Sequence, residues 1–223
     1  IPTKALLHTS HLFEEAEHSF ADQGIKVGKP SIDVPTMIGR KAKVVDQLTS
    51  GIKGLFKKNK VTMLPGHGSF VSKADGGWLL KVGDEEVAAK QVVVATGSTA
   101  RHLDGIPVDN EVICDNIGAL EFGAVPKKLV LIGSGVIGLE MGSLWRRLGA
   151  EVTILEAMDS FMAAADQDVA KEALKVFTKQ GLNIKMGVKV GKVTPAKNKK
   201  SVTVEYEDKD GKQKETFDRL VMS

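Results

Sequence analysis

The chain has 223 residues, of which 42% are hydrophobic and 26% are charged, and its net charge is +3. This composition indicates a globular protein with enough apolar residues for a core, and the length suits two smaller domains. The sequence has no 18-residue apolar run and no visible secretory signal, and its single cysteine excludes an internal disulfide. The lysine clusters at 57–60 and 197–200 are better explained as solvated loops than as a nucleic-acid surface.

Two helices are predicted in the first 60 residues. Pro2 suits a helix start, and apolar residues at helical spacing continue to Phe20, with Gly24 as the stop. A longer helix is predicted from Thr36, with Lys41 as the single charged residue on its apolar face. The apolar residues of that face are Met37, Val44, Val45, Leu48, Ile52, Leu55 and Phe56.

The period then changes to that of β-strands. Strands are predicted at 61–64, 69–72 and 78–82, with a hairpin turn at 75–77. The apolar run 91–96 predicts a buried strand that returns to the same α/β domain. Residues 99–125 have little regular pattern, so a domain boundary is predicted there, between domains 1–100 and 101–223.

A complete β-α-β unit follows this boundary. The run 129–132 predicts a strand that is buried on both faces, apolar residues from Ile137 to Leu148 predict a helix, and 152–155 predicts a second buried strand. Because the strands are joined through a helix, they are expected to be parallel.

Three glycines lie between the first strand and the helix, as G-x-G-x-x-G. Gly133 permits a tight turn, Gly135 lets a pyrophosphate approach the backbone, and Gly138 permits close packing of helix and sheet. Glu156 follows the third glycine by 18 residues, close to the roughly 20 of dinucleotide sites. A strand-helix turn without a ligand would also need glycines, but it does not explain Glu156.

Glu156 favours NAD over NADP. A carboxylate at this place accepts hydrogen bonds from a ribose hydroxyl and repels a 2′-phosphate. No Arg or Lys occurs between Ala157 and Ala170, so no basic residue nearby would bind such a phosphate.

The last 60 residues predict one more helix and several strands. Asp166 can cap a helix that ends at Gly181, and 183–186 is a third candidate for a parallel strand. A further strand is predicted to begin at Arg219. Antiparallel strands are predicted at 188–193, 201–207 and 212–217.

Three segments together resemble the flavin-dependent disulfide reductases, and most closely their dihydrolipoamide dehydrogenase branch. They are Ile1-Pro2-Thr3-Lys4-Ala5-Leu6-Leu7, Ala95-Thr96-Gly97-Ser98, and the run from Gly133 to Gly142. The resemblance covers the whole chain and implies an α/β fold with two Rossmann-like nucleotide-binding domains, each with a parallel sheet and an antiparallel β-meander. Residues 1–100 would be the latter part of the FAD domain and 101–223 the NAD domain.

The resemblance also assigns site residues by position. Lys4 matches a lysine beside the flavin, and Glu140 matches its ion-pair partner, although an ordinary exposed helix residue is the simpler explanation from sequence alone. The FAD contacts would be Lys4, Gly68, Thr96, Gly97 and Ser98. The NAD contacts would be Gly133, Ser134, Gly135, Val136, Ile137, Gly138, Leu139, Glu140, Glu156 and Val190. Without the resemblance, Gly68 is equally well a turn glycine and Val190 a core residue.

The resemblance implies an oxidoreductase. Electrons would pass from a dihydrolipoyl group to a redox disulfide, to FAD and then to NAD. The disulfide would precede this chain, and a His-Glu acid-base pair and a dimerisation domain would follow it, so the 223 residues alone are expected to be inactive. The implied partners are the dihydrolipoyl-bearing acyltransferase of a 2-oxo-acid dehydrogenase complex and a second copy, in the bacterial cytoplasm or the mitochondrial matrix.

Two other classes of protein stay open. The first is another enzyme of the same fold, either a reductase that acts on glutathione, mercuric ion or trypanothione or a transhydrogenase. The second is a module that binds NAD without redox chemistry. Metal binding by His8, His11 and Glu15 is possible by spacing, but a solvated helix face is preferred, and no metal is expected. Cys114 is interpreted as a packing residue, and His67 is the one histidine near the expected FAD edge.

Overall fold

The structure is a computed structural model that describes the backbone of residues 1–223 and every side chain except that of Ala74. The chain forms two compact units. The larger comprises Ile1–Val45 and Ala100–Ser223, and the smaller comprises Asp46–Thr99. The prediction of domains at 1–100 and 101–223 stays a prediction about the complete protein.

The elements follow one another in an α/β order. The helices are α1 (Pro2–His18), α2 (Val34–Lys58), α3 (Asn116–Ala119), α4 (Val136–Arg147) and α5 (Gln167–Lys179), with a 3-10 turn at Ala21–Gln23. The strands are β1 (Gly68–Ala74), β2 (Gly77–Val82), β3 (Glu85–Ala89), β4 (Ile113–Cys114), β5 (Lys128–Ile132), β6 (Glu151–Leu155), β7 (Leu182–Lys185), β8 (Lys189–Pro195), β9 (Val202–Asp208), β10 (Gly211–Phe217) and β11 (Arg219–Met222).

The larger unit contains a parallel sheet in the order β4-β11-β5-β6-β7. Helices α4 and α5 connect β5 to β6 and β6 to β7, which is the predicted β-α-β unit extended by one strand. A second, antiparallel sheet has the order β10-β9-β8. These strands were predicted, and so was the N-cap of α5, where Asp166 accepts hydrogen bonds from Asp168 and Val169.

The parallel sheet is buried on both faces. Side chains alternate along each strand, so alternate residues of one strand lie in two different hydrophobic cores. Leu129 and Leu131 of β5 belong to one core, with Trp145 of α4 and Leu6 of α1. The intervening residues of the same strand belong to a second core beneath the antiparallel sheet. Its members include Val130, Ile132, Leu155, Val202, Val204, Tyr206 and Phe217. The prediction that β5 and β6 are buried is therefore confirmed.

Trp145 is one of the largest fully buried side chains of the larger unit. Its indole N–H donates a hydrogen bond to the carbonyl oxygen of Ala119, at 3.1 Å, which satisfies its polar atom inside the core. The ring centroid of Phe122 lies 5.1 Å from that of Trp145. These contacts hold α4 against the segment that contains α3.

Helix α2 begins near its predicted start, but its apolar face is buried only in its first turns. Met37 and Lys41 are buried, whereas Leu48 and Ile52 are each 47% exposed. The Lys41 ammonium donates to the carbonyl oxygen of Leu120, at 3.0 Å, and contacts the Glu121 carboxylate. A buried lysine is tolerated because these acceptors replace water.

The smaller unit contains the antiparallel sheet β1-β2-β3. The rings of Phe70 and Trp78 meet edge to face across β1 and β2, with centroids 5.3 Å apart. Strand β3 was not predicted at its position.

Two predicted strands of this unit are wrong. Residues 61–64 and 91–96 form no strand in the described backbone, and the side chain of Val93 is 89% exposed. An apolar run becomes a strand only where a neighbouring strand takes its hydrogen bonds, and the described chain provides no such neighbour here.

The predicted fold class is confirmed as an α/β fold with a parallel sheet and antiparallel sheets. Within the described residues, no helix has the combined length and apolar character needed to cross a bilayer.

Candidate nucleotide-binding site

Two of the three motif glycines are required by the protein itself. Gly133 has φ +107°, and a Cβ there would lie 2.3 Å from the carbonyl oxygen of Ser223. A Cβ on Gly138 would lie 2.2 Å from the carbonyl oxygen of Gly133. Only glycine fits either position, so β5 can turn tightly into α4.

Gly135 is different, because a Cβ there would meet nothing within 4 Å. Its φ is −67°, which any residue can adopt. It is the N-cap of α4, and no side chain caps the helix. The first N–H groups of α4 therefore have no side-chain acceptor, and a helix N-terminus of this kind with open space beside it is the place where a pyrophosphate can bind. The contact of this loop with NAD stays a prediction.

Glu156 lies at the carboxyl end of β6 and contacts the glycine loop. Its Oε2 accepts hydrogen bonds from the backbone N–H of Ser134, at 2.7 Å, and from the Ser134 hydroxyl, at 2.8 Å. Its Oε1 accepts from the backbone N–H of Met158, at 2.9 Å. Burial favours the protonated carboxyl, but these hydrogen bonds, together with a smaller contribution from the backbone N–H of Ala157, outweigh it, so the pKa of Glu156 lies below its ordinary value.

The remaining residues predicted at the NAD site have different surroundings. Val136 and Ile137, in the first turn of α4, are 65% and 46% exposed, as residues beside an open site can be. Leu139 is buried in the core. Val190 lies on β8 and packs partly buried against the second core, so its structural role is evident and its ligand role stays a prediction.

Lys4 and Glu140 are brought together although 136 residues separate them. Lys4 lies in the first turn of α1, and Glu140 lies on α4, and their side chains form an ion pair. The Lys4 side chain is 71% exposed, so the ammonium also faces outward. The predicted contact with a flavin stays a prediction.

The other residues predicted to contact FAD lie in the smaller unit. Gly68 is the first residue of β1 and pairs with Val82. Thr96, Gly97 and Ser98 are exposed and lie outside any strand or helix, and Gly97 has φ +75°.

Comparison with known proteins decides the family. All residues, 1–223, match the family described as pyridine nucleotide-disulphide oxidoreductase. The chain belongs to this family. It is 56% identical over 224 residues to dihydrolipoyl dehydrogenase of Cupriavidus necator, which covers 100% of this chain and 47% of the relative. It is 44% identical over 206 residues to the mitochondrial dihydrolipoyl dehydrogenase of Pisum sativum, covering 92% and 41%.

A solved structure confirms the fold of this pyridine nucleotide-disulphide oxidoreductase chain. LpdA of Mycobacterium tuberculosis superposes with a TM-score of 0.85 at 22% identity, covering 100% of this chain and 48% of that one. The chain thus spans about half the length of the relatives that it matches. The family uses FAD and NAD, and the resemblance seen in the sequence is confirmed.

Sequence reasoning missed the partner of Glu156. Ser134 was predicted as an NAD contact, but no spacing rule indicates that its hydroxyl binds a residue 22 positions later. It also missed a cavity of about 440 Å³ between α1, α4 and α5, next to Glu140, lined by Leu7, Leu139, Met162 and Phe177 among others. Apolar helix faces predict packing, so a gap between them leaves no sequence signal.

The cysteine and the histidine grouping that the sequence singled out lie outside the glycine loop. Cys114 is fully buried in β4, and burial raises the pKa of its thiol to about 12. Nε2 of His11 lies 3.6 Å from Oε1 of Glu15, one turn later on the same face of α1. Among the described residues, no group of three or more His, Cys, Asp and Glu side chains is placed to hold a metal ion.

Proposed function

We propose that the protein carrying this chain is a dihydrolipoyl dehydrogenase, a flavoprotein that oxidises dihydrolipoyl groups and reduces NAD⁺. The observation that carries the proposal is the 56% identity, over the entire chain, to the Cupriavidus necator protein of that name. The glycine loop and Glu156 support NAD as the acceptor.

The chain would supply the nucleotide site and one side of the flavin site. When bound, FAD supplies two-electron chemistry between a disulfide and the nicotinamide. The 223 residues contain a single cysteine, so the redox disulfide must use cysteines outside them, and we expect this piece alone to be inactive.

The proposed role of Lys4 is electrostatic. A lysine beside the flavin favours negative charge on the reduced ring, and the ion pair with Glu140 holds that lysine in place. Gly68 and Thr96 to Ser98 are proposed to contact FAD through their backbone.

The proposed role of the glycine loop is to bind NAD. The uncapped N-terminus of α4 holds the pyrophosphate beside Gly135, and the Glu156 carboxylate accepts from the ribose. The exposed side chains of Val136 and Ile137 would lie against the nucleotide.

The proposed acyltransferase partner follows from the reaction, and the proposed homodimer follows from the resemblance to the family. A dihydrolipoyl-bearing acyltransferase of a 2-oxo-acid dehydrogenase complex would supply the substrate, and the complete protein would be a homodimer. Relatives occur in a bacterium and in plant mitochondria, and we propose the bacterial cytoplasm or the mitochondrial matrix as the location.

The proposal is tested with the complete protein after incubation with FAD, and the bound flavin is first measured by its visible absorbance. Dihydrolipoamide oxidation is followed through the absorbance of NADH or NADPH, with NAD⁺ or NADP⁺ as acceptor. In separate assays, glutathione disulfide, mercuric ion or trypanothione disulfide is the oxidant, and NADH or NADPH is the reductant. We expect turnover with dihydrolipoamide and NAD⁺. Turnover with one of the alternatives instead would assign another reductase of this fold, and nucleotide binding without bound flavin would indicate a module without redox chemistry.

A further inference from the structure

The two oxygens of the Glu156 carboxylate have different surroundings. Oε2 accepts two hydrogen bonds, both from Ser134, whereas Oε1 accepts one, from the backbone N–H of Met158. A carboxylate oxygen has about two lone-pair sites. Oε2 is therefore saturated by Ser134, whereas Oε1 has one hydrogen bond fewer, and the backbone N–H of Ala157 is a further, weaker partner of the carboxylate.

The hydroxyl of Ser134 donates its hydrogen bond to Oε2 of Glu156. Ser134 is 2% exposed, so water cannot replace the carboxylate as its acceptor. If a ribose hydroxyl displaced the serine hydroxyl from Oε2, the serine hydroxyl would be buried without a partner, and this cost would offset the gain from the new hydrogen bond. The contact is therefore expected to persist when a nucleotide is bound.

We infer that Ser134 is a positioning residue for nucleotide specificity, which holds Glu156 so that Oε1 alone is offered to the ribose. The same hydrogen bonds from Ser134 keep the negative charge of Glu156 at the end of β6, where a 2′-phosphate would have to lie. This inference rests on the proposed function, since it assumes that NAD binds at this loop.

The test compares two serine variants in the complete, FAD-loaded protein. Affinities for NAD⁺ and NADP⁺ are measured separately by calorimetry, so that no electron transfer occurs. For Ser134→Ala we expect roughly 10-fold weaker NAD⁺ binding, since a hydrogen bond to a charged group is lost, with NADP⁺ binding unchanged or tighter. Ser143→Ala changes a buried serine on α4, outside the glycine loop, and is the matched control that should leave both affinities unchanged.

A double-mutant cycle shows whether Ser134 acts through Glu156. In a Glu156→Ala background, Ser134→Ala should have no further effect on the ratio of the two affinities. An additive effect in that background would overturn the inference, and so would an equal loss of both nucleotides in the single variant. Ser134→Cys, with similar size and a weaker donor, should shift the ratio in the same direction by less, and it serves if Ser134→Ala does not fold.

The outcomes separate this inference from the proposed function. A parent protein that binds neither nucleotide removes the proposed function. A parent that prefers NAD⁺, with a Ser134→Ala variant that keeps the same preference, leaves the function in place and overturns the role of Ser134.

Discussion

The ammonium of Lys4 and the carboxylate of Glu140 form an ion pair between the first turn of α1 and the second turn of α4. The Glu140 side chain is 26% exposed, so the packing of α4 positions it. The Lys4 side chain is 71% exposed, so it is positioned mainly by its ion pair with Glu140. A surface pair of this kind contributes less than about 1 kcal/mol to stability. We therefore expect the Lys4–Glu140 pair to serve the flavin chemistry rather than the stability of the fold.

Opposite changes of charge at this pair should shift the flavin potential in opposite directions. Lys4→Met removes a positive charge beside the reduced ring and should lower the midpoint potential, on the order of 30 mV for a tenfold effect. Glu140→Gln removes a negative charge and should raise it. Spectroelectrochemical titration of the two complete proteins measures both values, and an unchanged potential in Lys4→Met would contradict the proposed placement of Lys4 beside the flavin.

The glycines of the motif should separate binding from stability. Gly135→Ala should cost about 1 kcal/mol or less in the free energy of unfolding, the size expected at an N-cap, but weaken NAD⁺ binding at least about 10-fold because a methyl group enters the open space. Gly138→Ala should cost roughly 3 kcal/mol, because its Cβ would collide with backbone. Thermal unfolding and calorimetry measure the two effects. Equal losses of stability in both variants would show that Gly135 is only structural.

Glu156→Gln should relax the preference for NAD⁺. A glutamine has one acceptor oxygen, so its amide must face either the N–H of Met158 or the donors of Ser134, and the repelling charge is lost. We expect about 10-fold weaker NAD⁺ binding and a smaller ratio of NAD⁺ to NADP⁺ affinity. Glu151→Gln, at the exposed other end of β6, is the control and should leave the ratio unchanged.

The buried lysine of α2 should matter more to stability than its exposed neighbour. Lys41→Ala removes the donor to the carbonyl oxygen of Leu120 and leaves a cavity, so we expect a loss of about 2 kcal/mol. Lys43→Ala, on the exposed side of the same helix, should change stability by less than about 0.5 kcal/mol. Chemical denaturation measures both, and equal small effects would show that the ammonium is not held as described.

Cys114 should be inert in the folded protein. With the pKa of its thiol raised to about 12, the thiolate fraction at pH 8 is very small, so alkylation should be at least roughly 100-fold slower than in denaturant. Mass spectrometry of the Cys114 peptide measures the rate, and rapid labelling of folded protein would contradict its burial.

The same thiol has a consequence for stability at alkaline pH. The folded pKa lies above the unfolded value, about 8.5, so the contribution of the protonated thiol is fully present below that pH and is lost as the pH rises towards 12. Cys114→Ala should reduce this loss, which pH-dependent unfolding between pH 8.5 and 11 would detect.

The nucleotide-binding half of the fold could be predicted because its pattern is local. Strands β5 and β6 follow from continuous apolar runs, helix α4 follows from the helical period of 3.6, and the N-cap Asp166 directly precedes its helix, so each prediction uses residues a few positions apart. The exposed run 91–96 shows the opposite case. Its apolar residues predict a strand, but a strand also requires a neighbour in space, which the run itself does not encode.

The sequence by itself determined the β-α-β unit, the glycine loop and the acid at the end of β6, since spacing alone selects them. Its resemblance to a known family supplied the pairing of Lys4 with Glu140. Only the tertiary structure decided that Ser134 holds Glu156 and that Lys41 is buried against Leu120, because each contact joins residues far apart in the chain. Such contacts depend on where the sheet and helices bring the backbone together, which no local periodicity records.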